Sequence, residues 1–399
     1  MNEKAVTIAA LLAIGCARET VVNAQAALQH HEIRADQLPE PFATKSAFNP
    51  PWVRSQPAGA RLQVPPGFTI SVFAEGLDGP RHMIQAPNGD VLVSEPGAGK
   101  ITILRNGKGF TFASGLNDPY GLAIHEGWLY VGDEDAIVRF PYAPGAIRAT
   151  SQPQRIAPLP GGGHSTRGIV FNREGTKMYV SVGSASNVSS GEPPERAAIL
   201  EFNPDGSGKR LFASGLRNPV GMDWDPQTGA LWTAVNERDG LGEDLVPDYI
   251  TDVRAGAFYG WPYAYIGQHE DPRRRGERRD LVARAVVPAF LIQSHSAPLG
   301  IAFYEGAMFP AAFRGSAFVA LHGSWNRSKR TGYKIICVPF RDGHPTGGYD
   351  DFVIGWMTDE NGHTVWGRPV DLLVLRDGSL LISDDGGEKI WRVTYAAAR

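Results

Sequence analysis

Short apolar runs recur along the chain, each set off by a Gly, Asn-Gly or Asp-Gly turn. They appear in Asn88–Ser94, Gly127–Asp133, Gly175–Val180, Gly229–Ala234, Gly315–Ala320 and Asp377–Ser383. Asn-Gly and Asp-Gly between alternating apolar runs are hairpin signals, because the favoured two-residue turn needs positive φ at both central residues. The pattern therefore predicts strands joined by tight turns.

A second motif precedes each hairpin. Gly115–Ala123 reads GLNDPYGLA and Gly215–Met222 reads GLRNPVGM, with relatives at Gly76–Pro80, Thr166–Phe171, Pro298–Phe303 and Arg368–Leu372. Turn, strand, turn, strand is thus written six times, at a spacing of roughly 40 to 80 residues that suits four-stranded propeller blades with inserted loops. The predicted fold is all-β, a six-bladed β-propeller with four-stranded antiparallel blades. A β-sandwich would not repeat one unit six times. A parallel α/β barrel would need helical crossovers, and no copy is followed by one.

Composition agrees: Gly 47 and Pro 30 suit many turns, and 42% hydrophobic content supports a core. The formal net charge of -3 gives no field to attract nucleic acid. Lys4 followed by the apolar stretch Ala5–Ile14 reads as a signal-peptide core, too short to span a bilayer. Export to the periplasm or beyond is expected. Residues 1–26 form a leader, with cleavage after Ala24-Gln25-Ala26 or lipidation of Cys16 in a loose lipobox as the two processing routes. Residues 27–61, rich in Pro and polar groups, read as a tether or external strap, and 62–397 as the propeller. The mature chain is expected to lack a transmembrane helix. Cys337 sits in a strand-like run as a small buried hydrophobe, so no disulfide is expected.

Function lives in the loops grafted on such a fold. Three clusters stand beside blade motifs: Gly161–Arg167, Arg217-Asn218 followed by Asn236–Asp244, and His322–Arg327. His164 follows three glycines and is either a base on a ligand or a surface-loop histidine. Arg217, Arg327 and Arg368 are able to clamp carboxylates, or to be paired locally. Glu237, Asp239, Glu243, Asp244 and Asp248 crowd one loop; it lacks EF-hand spacing, so it reads as calcium ligands or as a solvated acidic loop. Gly256–Pro262 would hold that loop in place, and the basic run Asp271–Arg279 reads as a solvated excursion.

Gly163–Arg167, Gly215–Pro219, Phe258–Pro262, His295–Gly300, His322–Arg327 and the ending Ser383–Val393 together resemble the pyrroloquinoline-quinone-dependent glucose/sorbosone dehydrogenases, closest to the L-sorbosone dehydrogenase-like branch. The resemblance runs from about Pro65 to Tyr395. It implies that His164 is the base on the sugar hydroxyl, and that Arg217, Asn218 and Arg368 contact the cofactor. It also implies a calcium ion held largely by backbone carbonyls near Asp239 and Gly240. The family's quinone-contacting lysine falls within Trp325–Arg330, where Asn326, Arg327 and Lys329 compete for the position, so Asn326 and Arg327 join the candidate cofactor contacts. A second family arginine is replaced by Val370.

The leading expectation is a quinoprotein that oxidises an aldose or aldehyde-type sugar and passes electrons to a separate acceptor. Two other classes compete: a non-catalytic propeller that binds carbohydrate or protein, and a calcium-dependent lactonase-like hydrolase.

Overall fold

A computed structural model describes residues 28–396. The leader expected over residues 1–26, and Cys16 with it, lies outside the described residues.

Six antiparallel sheets follow one another around a central channel. In chain order the blades begin with the inner strands Met83–Gln85, Leu122–His125, Ile169–Phe171, Asn218–Trp224, Pro298–Phe303 and Pro369–Val374. In the first blade the turn expected at Asn88-Gly89-Asp90 closes the hairpin, with Gly89 at φ 94°. The Ala86 and Asp90 backbones bond across it. The second strand of each blade, such as Val91–Glu95 or Met178–Val182, is buried along its length. Strands sandwiched between neighbouring blades must be apolar on both faces, which explains continuous apolar runs where a half-exposed sheet would alternate.

The repeated glycine of the motif has a packing cause. A Cβ on Gly121 would lie 2.3 Å from the Arg167 carbonyl oxygen, one on Gly168 2.6 Å from that of Val220, and one on Gly221 2.4 Å from that of Leu299. One on Gly300 would lie 2.7 Å from the Asp371 Cα. Inner strands thus pack backbone against backbone from blade to blade, and only glycine leaves room.

The ring is closed by the strand Phe68–Glu75, which pairs with Lys389–Tyr395 as the outermost strand of the last blade. Before it, His30–His31 adds a fifth strand to the fifth blade through Asp350 and Tyr349, and Trp52–Val53 pairs in parallel with Thr364–Val365. Cys337 is buried, as its surroundings in the sequence imply. Among the described residues no helix is long and apolar enough to cross a membrane.

Candidate active site

The turns that open the inner strands, and the ends of the second strands beside them, carry the polar loops to one end of the channel. A cavity of about 650 Å³ opens at the other end, lined by Phe171, Trp224, Phe303 and Arg376. The chemistry-bearing residues are therefore at the opposite mouth from that cavity.

His164 is partly buried, and its Nδ1 lies 2.7 Å from the Ser184 carbonyl oxygen. A carbonyl only accepts, so Nδ1 carries the proton and Nε2 holds the free lone pair. Burial, and then the nearby Arg217 charge, lower its pKa to about 4. The imidazole is thus a neutral acceptor at physiological pH. Its loop is held from beneath by the wholly buried Arg167, which donates to the carbonyls of His164 (2.6 Å), Thr166 (2.9 Å) and Pro160 (2.7 Å).

Gly183 brings the next pair together. A Cβ there would lie 2.3 Å from Asn218 Oδ1 and 2.6 Å from His164 Cβ. Arg217 donates to the Glu237 carbonyl at 2.7 Å and approaches the Asp239 carboxylate at 3.3 Å. The other Asp239 oxygen accepts from Asn326 Nδ2 at 2.6 Å, and that same amide nitrogen is 3.0 Å from His295 Nδ1. Burial alone would raise the Asp239 pKa, but His295 and Arg217 outweigh it and hold the carboxylate ionised. His164, Arg217, Asn218, Asp239 and Asn326 therefore form one neighbourhood.

Arg368 approaches this end from the last blade, reaching the carbonyls of His322 and Gly323 at 3.3 Å each. It has no carboxylate within ion-pair distance among the described residues. Beside it, His322 Nε2 donates to Asp385 at 2.9 Å, and Asp385 also takes Arg81 at 3.1 Å. Burial and the Arg368 charge lower the His322 pKa to about 4, so this ring too is neutral.

Several expectations are corrected. Arg327 turns away from the group: it donates to the Glu243 carbonyl and pairs with Asp244 at 2.9 Å. Lys329 lies on the surface with Glu360, which leaves Asn326 as the inward-facing residue of the three. The acidic loop does not converge as a ligand cluster. Glu237 pairs with buried Arg238, Asp248 caps the backbone of Glu237 and Ala297, and Glu243 binds Ser328. No group of three or more His, Cys, Asp or Glu is arranged for a metal among the described residues. The basic run is a solvated excursion only in its second half, Arg275–Arg279, which is exposed, whereas its first half is tied down. Asp271 is fully buried and grips Arg273, whose Nη1 reaches the Asp239 carbonyl at 2.8 Å, while Arg274 binds the Val188 carbonyl. Long-range pairing decided this, and charge spacing alone carries no trace of it. Gly256–Pro262 braces the loop, as Trp261 Nε1 donates to the Asn187 carbonyl at 2.8 Å and Arg238 to that of Pro262.

Arg81 and Tyr120 were missed as site residues. Tyr120 lies in a repeat motif and Arg81 directly follows one, where regularity disguised them as blade grammar. Arg81 Nε, Tyr120 Oη, Asn218 Oδ1 and Thr166 Oγ1 are buried without a hydrogen-bond partner. Orphaned polar groups are costly, by about 1–3 kcal/mol each, and four along these loops fit a polar ligand that both accepts and donates hydrogen bonds. A quinone bearing carboxylates would meet a cation without an ion-pair partner in Arg368, while Arg81 and Arg217 beside it are paired with Asp385 and Asp239. For calcium, the Asp239 carbonyl already accepts from Arg273 and Asn187, so the Asp239 carboxylate and the Gly240 carbonyl are the oxygens left to hold it.

Residues 62–253 and 270–396 match the TrAA12-like family model. An uncharacterised protein of Borreliella burgdorferi is 30% identical over 348 residues, covering 84% of this chain and 91% of that one. The pyrroloquinoline quinone-dependent pyranose dehydrogenase of Coprinopsis cinerea is 25% identical over 398 residues, 82% of this chain and 54% of that protein, so the chain spans about half of that relative. The holo form of the quinone domain of the Coprinopsis cinerea pyranose dehydrogenase superposes with a TM-score of 0.72 at 22% identity, covering 86% of this chain and all of that domain. The chain belongs to the TrAA12-like family, alongside the quinoprotein sugar dehydrogenases that its loop motifs resemble.

Proposed function

We propose that this protein is a quinone-dependent dehydrogenase that oxidises a pyranose or aldehyde-type sugar, with a separate acceptor taking the electrons. The observation that carries the reading is a neutral His164 with Nε2 free, set among Arg217, Asn218 and Asp239 at one channel mouth. Relatives of the same family named as quinone-dependent sugar dehydrogenases support it.

Pyrroloquinoline quinone, once bound with calcium, supplies the two-electron acceptor for hydride from the sugar carbon. The protein's residues do the rest. His164 Nε2 takes the proton of the hydroxyl on that carbon, while Ser184 keeps Nδ1 protonated and the ring in place. Arg368 and Arg81 hold carboxylates, and Asn218 offers its amide to the ligand. Asp239, fixed by Arg217 and Asn326, would contribute oxygen to a bound calcium together with Gly240. Sorbosone is one substrate within this class. Export, by cleavage or by a lipid anchor on Cys16, belongs to the same proposal.

Reconstituting purified protein with the quinone and calcium, then following dye reduction across a sugar panel, tests the reading. Sugar-dependent reduction that requires the quinone is expected. Turnover without quinone would point to a hydrolase, and sugar binding without reduction to a non-catalytic propeller.

A further inference from the structure

We propose that the segment ahead of the propeller completes the site with a second carbohydrate subsite, where the exposed ring of Phe48, braced edge to face by Trp325, stacks on a pyranose unit beyond the one that reaches His164. This rests on the sugar-oxidising reading above.

Eight large hydrophobic side chains are exposed among the described residues, and five of them lie on this segment or against it: Phe42, Phe48, Trp52, Val53 and Trp325. The segment is outside the residues that match the family model. Phe48 is 79% exposed and Trp325 42%, yet their rings pack edge to face with centroids 5.9 Å apart. The edge-to-face contact holds the Phe48 ring in place while most of its surface stays open to a ligand. Neutral sugars present one apolar C–H face that suits such rings, while their hydroxyls stay wet.

The platform is tied to the chemistry by rigid contacts. Asn49 is buried between the loops: its backbone N–H donates to the Trp325 carbonyl at 2.7 Å, and its side chain donates to the Arg327 carbonyl at 2.9 Å. Its own oxygen accepts from Arg330 at 2.8 Å. Trp325 is followed directly by Asn326, which bonds Asp239. Further back, the Phe42 N–H donates to the Leu241 carbonyl at 2.7 Å, and Thr44 accepts from the Glu243 N–H at 2.8 Å. The segment therefore clamps both loops that carry Asp239 and Asn326, and it presents Phe48 beside them. A buried asparagine spent on fixing an exposed phenylalanine argues for a ligand on that ring. The continuity with the sugar site favours a saccharide over a protein as that ligand.

The test uses the full chain as Phe48→Ala, Phe48→Trp and Trp325→Ala variants, loaded with quinone and assayed with glucose, cellotriose, maltotriose and mannotriose. Phe48→Ala is expected to raise KM for at least one trisaccharide by about tenfold, with kcat and the glucose kinetics unchanged, and Phe48→Trp to restore it. Calorimetry of unloaded protein with the corresponding trisaccharide alditols reads the platform without any oxidation. If no sugar is oxidised, the functional reading fails and the alditols alone decide the subsite. Wild-type protein that binds no alditol, or Phe48→Ala binding as wild type does, overturns the proposal. So does a Phe48→Ala effect equal on glucose and trisaccharides, or one confined to reduction of a protein acceptor.

Discussion

The Nδ1 of His164 faces the Ser184 carbonyl oxygen at 2.7 Å, and this one contact decides which nitrogen is available for chemistry. With Nδ1 protonated, Nε2 is the base, and burial together with Arg217 lowers its pKa to about 4. The base is therefore in its working form at any pH well above that value. kcat/KM in the loaded enzyme should stay level from pH 8 to 5 and fall as pH drops through about 4. A profile that falls at pH 6.5 would mean that the ring titrates as a free histidine.

The same shift has a consequence for stability. An unfolded histidine titrates near pH 6.5 and binds a proton that the folded His164 refuses, so the folded state loses ground as pH falls from 6.5 towards 4. Buried His322, lowered to about 4 as well, acts in the same direction. Replacing His164 with Gln should flatten the decline of the melting temperature over that window, which scanning calorimetry at fixed ionic strength would read.

Gly183→Ala places a methyl group where Asn218 Oδ1 and His164 Cβ already stand. Both side chains have to move, and overpacking of this kind costs about 1–3 kcal/mol. Urea unfolding should register that loss, and kcat should drop by about 100-fold because a displaced base loses its reach to the substrate proton. Wild-type kcat in this variant would mean that the His164 position is not critical.

Arg167→Met keeps the volume but removes the donors to the carbonyls of Pro160, His164 and Thr166. With these part-buried oxygens left unpaired, a loss of about 2–3 kcal/mol is expected from denaturant unfolding. Activity should fall with it, since the histidine loop loses its support.

Arg368→Gln removes a half-buried cation that has no ion-pair partner among the described residues. Quinone affinity should weaken by about 10- to 100-fold in a titration followed by absorbance, with little change in melting temperature for the unloaded protein. Unchanged affinity would place the quinone carboxylates elsewhere.

The architecture was legible because its cause repeats. Gly121, Gly168, Gly221 and Gly300 each stand where two inner strands meet, so the packing rule appears in the sequence as a recurring letter. The site was legible where a loop motif names its own chemistry, as with His164 and Arg217-Asn218. It was not legible where a side chain's direction depends on a partner far along the chain. Arg327 is claimed by Asp244, Arg273 by Asp271 and by the Asp239 carbonyl, and Asn326 is turned inward by Asp239 and His295. Arg81 was hidden for the opposite reason, because it directly follows a repeat motif and reads as scaffold.

Anaerobic rapid mixing of sugar with quinone-loaded protein, as wild type and as His164→Gln at matched quinone occupancy, tests the central claim most directly. The bound quinone's absorbance should be bleached by sugar in the wild type, and His164→Gln should slow that bleaching by about 1,000-fold or more while binding quinone equally well. Bleaching at the wild-type rate in His164→Gln would contradict the assignment of the base, and absence of bleaching with any sugar would contradict the function.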